Sequence, residues 1–270
     1  MGQYIHCKAV AVHPYYVSEL DIRLFTAEEL CYYIYHNIAL IDDDFISAEL
    51  LTFLRKEVKM PELADKIERY HNSAADLDGI LVMILRDVDY YSDLEVTRFQ
   101  DRLARLRKQN HLERTREKAD QLFAQKRFER AIREYSEIIT SKRDMRLKPF
   151  FYAQVLQHMG AAYMQLGLAD EALECLEVAY QESPEPFLLK QIFFVAMETG
   201  KPYSRLLEQV DAVQLTQWQQ NFLDVQNRHL AAIESDESQL IFYEEEEARA
   251  KSLELYLEEE KRKYRTMVMR

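Results

Sequence analysis

The sequence predicts an all-α fold: antiparallel helix pairs in a short superhelical array, preceded by a helical N-terminal region and closed by a charged C-terminal capping helix. Three observations lead there. Only 5 Gly and 6 Pro punctuate 270 residues, too few for the turns of a many-stranded sheet. Capping boxes stand at Thr26 with Glu29 and at Ser92 with Glu95, each followed by apolar residues at helical spacing. In residues 156–184, small side chains (Gly160, Ala172, Ala179) alternate with larger ones (Met159, Tyr163, Leu176) as two closely crossing helices require, and Pro184 ends the second helix.

Taken in order, residues 4–10 (Tyr4, Ile5, Val10) and 20–25 (Ile22, Leu24, Phe25) lean towards strand, with His13, Pro14 and Ser18 between them. They admit a short β-hairpin or an extended arm, and no other strand is expected. Leu30, Ile34, Ile38 and Ile41 recur as one helix face, which Asp42, Asp43 and Asp44 break. Ala48, Leu51, Leu54 and Val58 mark a second helix. Pro61 opens a third, with Leu63, Ile67 and Tyr70 on one face, and Ile80, Leu81, Ile84 and Leu85 mark a fourth. Residues 1–91 thus form a helical N-terminal region. A fifth, Arg-rich helix with Val96, Phe99, Leu103 and Leu106 on one face runs to about Asn110 and leads into residues 92–213, the repeat region.

There Leu156, Met159, Gly160, Tyr163, Ala172, Leu176, Ala179 and Pro184 keep the order and spacing W-x2-L-G-x2-Y, A-x3-F, P, with Leu for Trp, Met for Leu and Leu for Phe. The stretch resembles a tetratricopeptide repeat. A weaker copy begins at Leu112, with Ala119, Leu122, Phe128, Ala131 and Tyr135 at matching positions and no Pro at Arg143. Ala131 and Ala172 are about seven residues farther apart than the period allows, which puts extra residues in the SKRDMRLKP turn or in longer flanking helices. Residues 187–199 and 203–213 are expected as a third pair with Gly200 as helix stop, although Phe194 stands where Gly or Ala belongs. In residues 214–270 one helix over 216–232 carries Trp218, Phe222, Val225 and Leu230. A Glu-rich helix follows, whose stripe of Leu253, Leu257, Tyr264 and Val268 is expected to pack back and cap the array.

Net charge is −12, the wrong sign for neutralising phosphates, so nucleic acid and anionic membranes are not expected partners. No window is long and apolar enough to span a bilayer. Cys7, Cys31 and Cys175 form no CxxC, as in a reduced, cytoplasmic protein. No HxxxH, phosphate-cradling glycine loop or GxSxG occurs, and the acidic clusters at Asp42–Asp43–Asp44 and Asp87, Asp89, Asp93 and Glu95 lack the Gly and Glu of a calcium loop. Neither metal, cofactor nor catalytic residue is therefore expected. LLTFLRKEVKMPELADKI resembles the start of a helix-turn-helix, but residues 47–72 hold five basic and five acidic side chains and no basic recognition helix follows. A peptide-sensing transcriptional regulator is thus the alternative reading, with a homo-oligomerisation module beside it.

The resemblance implies a concave groove lined by the first helix of each pair. Its positions correspond to Glu113, Arg116, Asp120 and Phe123, then Gln154, Gln157, Ala161 and Met164, then Leu188, Gln191 and Val195. Of these, Arg116, Asp120, Phe123, Gln154, Gln157, Met164 and Gln191 are the expected partner-binding residues. Arg116 could replace the Lys of the subgroup that grips acidic chain termini, but Asp120 and His158 stand where its Asn would be. The expected function is a non-enzymatic scaffold that holds a peptide or helix of another protein, as a monomer or weak homodimer.

Overall fold

Strands β1 (Tyr15–Val17) and β2 (Ile22–Leu24) pair antiparallel, Tyr15 opposite Leu24 and Val17 opposite Ile22, in the computed structural model, which describes residues 9–73, 76–200, 204–235 and 246–268. They are the only strands among the described residues, and the rest is helix and turn: the fold is all-α. The first described strand lies after Pro14; of residues 4–10, where a strand was expected, 9 and 10 are not in one and 4–8 fall outside the described residues. Proline has no N–H for a ladder and suits the position just before a strand. Val17 and Leu24 turn inward while Tyr16 and Arg23 face water, the alternation of a half-buried hairpin.

The chain divides into two compact units, Met1–Leu188 and Leu189–Arg270. In the first, helix α1 (Ala27–His36) starts where the capping box put it, Thr26 Oγ1 accepting from Glu29 N at 3.1 Å. It stops earlier than the spacing of Ile38 and Ile41 suggested. Asn37 is the reason: its backbone N and its Nδ2 both donate to Tyr33 O, at 2.9 and 3.0 Å, and the chain leaves through a 3₁₀ turn at Ile38–Leu40. Ile38 and Ile41 stay buried without being helical. Helix α2 (Ala48–Thr52) widens into a π turn at Phe53–Glu57, closed by Val58 N donating to Phe53 O at 3.1 Å. The wider turn keeps Phe53 and Leu54 buried and delivers Glu57 Oε2 to the N–H groups of Val12 (2.9 Å) and His13 (3.1 Å), which anchors the incoming chain.

Helices α3 (Pro61–Asn72), α4 (Leu77–Val88) and α5 (Asp93–Lys108) follow, the last with its capping box intact. Leu63 and Ile67 are buried as expected, but Tyr70 is exposed and Ala64 takes the buried place beside them. Ile80, Leu81, Ile84 and Leu85 of α4, and Val96, Phe99, Leu103 and Leu106 of α5, are all buried, each large side chain contributing about 1.5–3 kcal/mol.

Two antiparallel helix pairs complete this unit: α6 (His111–Ala124) with α7 (Phe128–Thr140), and α8 (Pro149–Gln165) with α9 (Ala169–Glu182). Their turns are copies of each other. Arg127 N donates to Leu122 O at 2.9 Å and Leu168 N to Tyr163 O at 3.0 Å, closing each first helix on a left-handed residue, Lys126 (φ 59°) in one and Gly167 (φ 75°) in the other. Gly160 lies at the α8–α9 crossing, where an added Cβ would come 3.1 Å from Ala172 O. The extra residues between the pairs sit in the connection 141–148 and in the longer α8. One apolar core runs from Ala11 to Val155, so the N-terminal helices and the first pair share an interior.

In the second unit, α10 (Pro186–Thr199) ends at Gly200, whose φ of 65° suits a helix stop. The expected helix over 203–213 is instead a 3₁₀ turn at Arg205–Gln209, with Tyr203 outside the described residues. Its place is taken by α11 (Ala212–Ser235), which starts at Asp211, whose carbonyl accepts from Leu215 N at 3.0 Å. Phe193 meets Trp218 at 5.9 Å and Phe194 meets Phe222 at 5.7 Å between ring centroids, so large rings fill this crossing where the other pairs use small residues. Helix α12 (Glu246–Val268) carries Leu253 and Leu257 exposed, while the side chains of Tyr264 and Val268 lie outside the described residues.

Candidate functional site

The first helices of the two pairs, α6 and α8, bring three of the expected residues into direct contact. Arg116 Nη1 donates to Gln154 Oε1 at 3.0 Å, its guanidinium lies 5.4 Å from the Phe151 ring centroid, and its Nε is 3.6 Å from Asp120 Oδ2. Asp120 is the hub. Its Oδ1 accepts from Tyr135 Oη of α7 at 2.6 Å and pairs with His158 Nδ1 of α8 at 2.7 Å. Burial works to raise the Asp120 pKa, but the hydrogen bonds from His158 and Tyr135 outweigh it and hold the carboxyl below its ordinary value. The Tyr135 phenol is pushed up by burial and by its bond to that carboxylate.

An ionised Asp120 requires the proton on His158 Nδ1, and Nε2 then has no partner among the described residues. His158 and Asp120 are both about a third exposed, so the knot of charges sits at a surface. Arg116 and Asp120 are therefore tied to each other and to α8. The cation that a terminal-carboxylate grip would use is already shared with a carboxylate, an amide and a ring.

Gln157 and Met164 are half-buried on the same helix as Gln154. Phe123 packs its ring edge-on against Phe128 at 5.3 Å, within the α6–α7 pair. Glu113 is the reciprocal cap of α6, accepting from Asn110 N at 2.9 Å, and Leu188 and Val195 are buried. Gln191 belongs to the other unit, with its Oε1 buried and without a hydrogen-bond partner among the described residues. The Asp120–His158–Tyr135 constellation was missed from the sequence, since three helices must be in register before it exists.

A second concavity, about 460 Å³, opens between the hairpin, α1 and the α6–α7 turn, walled by Ile22, Leu24, Tyr32 and Tyr90 and edged by Gln125 and Arg127. Arg127 is engaged there, donating to Leu20 O. Among the described residues no group of His, Cys, Asp and Glu could hold a metal ion, and no helix is long and apolar enough to cross a membrane.

No protein-family model and no curated protein matches the chain. Among solved structures it is similar to the "MamA RS-1 ArsTM double mutant", at 15% identity and a TM-score of 0.32, over 75% of this chain and 96% of that one. That likeness is too faint to carry fold or function.

Proposed function

We propose that this chain is a non-enzymatic interaction module, and that the α6–α8 face holds a peptide or helix of a partner protein. The observation that supports it is the half-exposed set Arg116, Phe151, Gln154 and His158 on the first helices of two adjacent pairs, with Gln157 and Met164 continuing along α8. Amides read backbone groups, the Phe151–Arg116 stack offers a flat apolar surface with a polar edge, and His158 Nε2 offers a further polar atom to hydrogen-bond. Asp120 serves as an internal tie that orients both His158 and Arg116, so the chain acts by recognition and not by turnover.

The test is a displayed library of random peptides panned on the full chain, with selected peptides measured by calorimetry. Replacing Arg116, Gln154 and Gln157 together with Ala should weaken them by about tenfold or more. Peptides that bind the triple variant as tightly as the parent, with the variant folded, would place recognition elsewhere and sink this reading.

A further inference from the structure

We infer that the concavity walled by the hairpin, α1 and the α6–α7 turn is a binding site for a small organic amine, taken up in its protonated form. Its volume, about 460 Å³, is that of a small-ligand site. Leu20, Ile22 and Leu24 supply an apolar wall, Tyr32, Tyr33 and Tyr90 supply aromatic rings, and Glu28 and Glu29 stand on its α1 side. Tyr33 carries the observation that an ordinary surface hollow lacks. The residue is 2% exposed and lines the cavity, yet its phenol Oη has no hydrogen-bond partner among the described residues. Native interiors rarely leave such a group unanswered. Burial pushes the phenol's pKa up, so it keeps its proton, and its oxygen lone pairs are ready to accept from an N–H.

Charge selects the class of ligand. Arg127 is the one cation among the described lining residues, and it is committed to Leu20 O. An anion would thus face two carboxylates with no cation released to meet it, and a neutral apolar molecule would fill the hollow but leave Tyr33 Oη unanswered. A protonated amine on an apolar or aromatic body answers both: the body lies along Ile22 and Leu24, and the ammonium donates to Tyr33 Oη and gains from the negative ring faces and from Glu29. The start of α1 explains Glu29 in part, since its Oε2 accepts from Phe25 N at 2.5 Å as the reciprocal half of the cap. It explains neither the orphan phenol nor the other tyrosines. The inference does not rest on the α6–α8 face, which uses none of these residues.

Calorimetry on the full chain with phenethylamine, 2-phenylethanol and phenylacetate tests it, since these probes share a ring and differ in charge. The amine should bind once per chain and about tenfold more tightly than the alcohol, and the acid should not bind. Tyr33→Phe removes only the orphan oxygen; it should weaken the amine by about tenfold while the thermal midpoint holds or rises. Glu29→Gln keeps an acceptor for the helix cap and should weaken the amine but not the alcohol. Ile22→Trp fills the cavity and should abolish binding of both. No binding of the amine at millimolar concentration overturns the inference, as do equal affinities for amine and alcohol, a Tyr33→Phe chain that binds as tightly as the parent, or amine binding that survives Ile22→Trp. Tighter binding of Nα-acetyl-lysine amide than of phenethylamine would overturn the small-molecule assignment in favour of a lysine side chain of a partner.

Discussion

Gly160→Ala and Gly160→Leu should separate two effects that a glycine inside a helix combines. Relative to alanine, glycine costs an interior helix position about 1 kcal/mol, so by propensity alone Ala would stabilise α8. The crossing opposes this. A Cβ at 160 would meet the backbone oxygen of Ala172 at 3.1 Å, with Cys175 Cβ and Leu176 Cγ at 3.4 Å, and a carbonyl inside α9 cannot swing away as a side chain could. We expect the Ala variant to fall within about 0.5–1 kcal/mol of the parent, the propensity gain and the squeeze nearly cancelling. Leu adds three further carbons to the same gap and should cost about 1–3 kcal/mol or more. Gly79→Ala is the internal control: its Cβ would touch only Tyr70 Cε1, at an ordinary 3.4 Å, so propensity should win and raise stability by up to about 1 kcal/mol. Urea midpoints, with equal m-values as a check on two-state behaviour, decide the matter. A Leu variant as stable as the parent would show that α8 and α9 do not cross closely at this residue.

Three other outcomes are expected. Lys126→Gly should stabilise by about 0.5–1 kcal/mol, because the residue is held at φ 59° where its counterpart is already Gly167; an unchanged midpoint would mean the turn is not under strain. Gly200→Ala should cost about 1–2 kcal/mol for the converse reason, although no atom of the described residues crowds that site, and a neutral result would argue against the left-handed helix stop. The folded Asp120 carboxyl titrates below its unfolded value, so its contribution to stability is complete above the ordinary Asp range and is lost as pH falls through that range towards the folded value. Asp120→Asn should therefore flatten the acid limb of the stability profile below about pH 5, and parallel limbs in parent and variant would contradict the hub role.

Local chemistry made much of this fold legible. Thr26, Ser92 and Pro61 announce helix starts through single hydrogen bonds or a fixed φ, and the α4 and α5 faces follow from spacing alone. Where two local signals competed, the sequence misled. Ile38 and Ile41 keep helical spacing, yet Asn37 folds its own amide onto Tyr33 and ends α1; a residue that can imitate the backbone outweighs a periodicity. Residues 205–209 are good helix formers, but Asp211 opens α11 and leaves them as a connecting turn. The candidate site was half readable. That Arg116 lies on α6 and Gln154 on α8 was readable from the helix spacing, whereas the Arg116–Gln154 and Asp120–His158 bonds span the two helices and depend on the length of the connection between the pairs, which no local pattern sets.

The fastening of the hairpin bears on how the chain is made. Arg127 donates to Leu20 O, and Arg130 Nη1 donates to Glu19 O at 2.7 Å, partners separated by 107 and 111 positions. During synthesis the first strands leave the ribosome long before either arginine does. The turn between β1 and β2 must therefore wait, its carbonyls turned to water, while α1 to α5 assemble from nearer contacts. Loop closure on this scale is slow compared with helix formation. The turn between β1 and β2 is thus among the last parts of its unit to lock, although Glu57 can already anchor Val12 and His13, and Tyr15 can already meet Phe45 and Phe53.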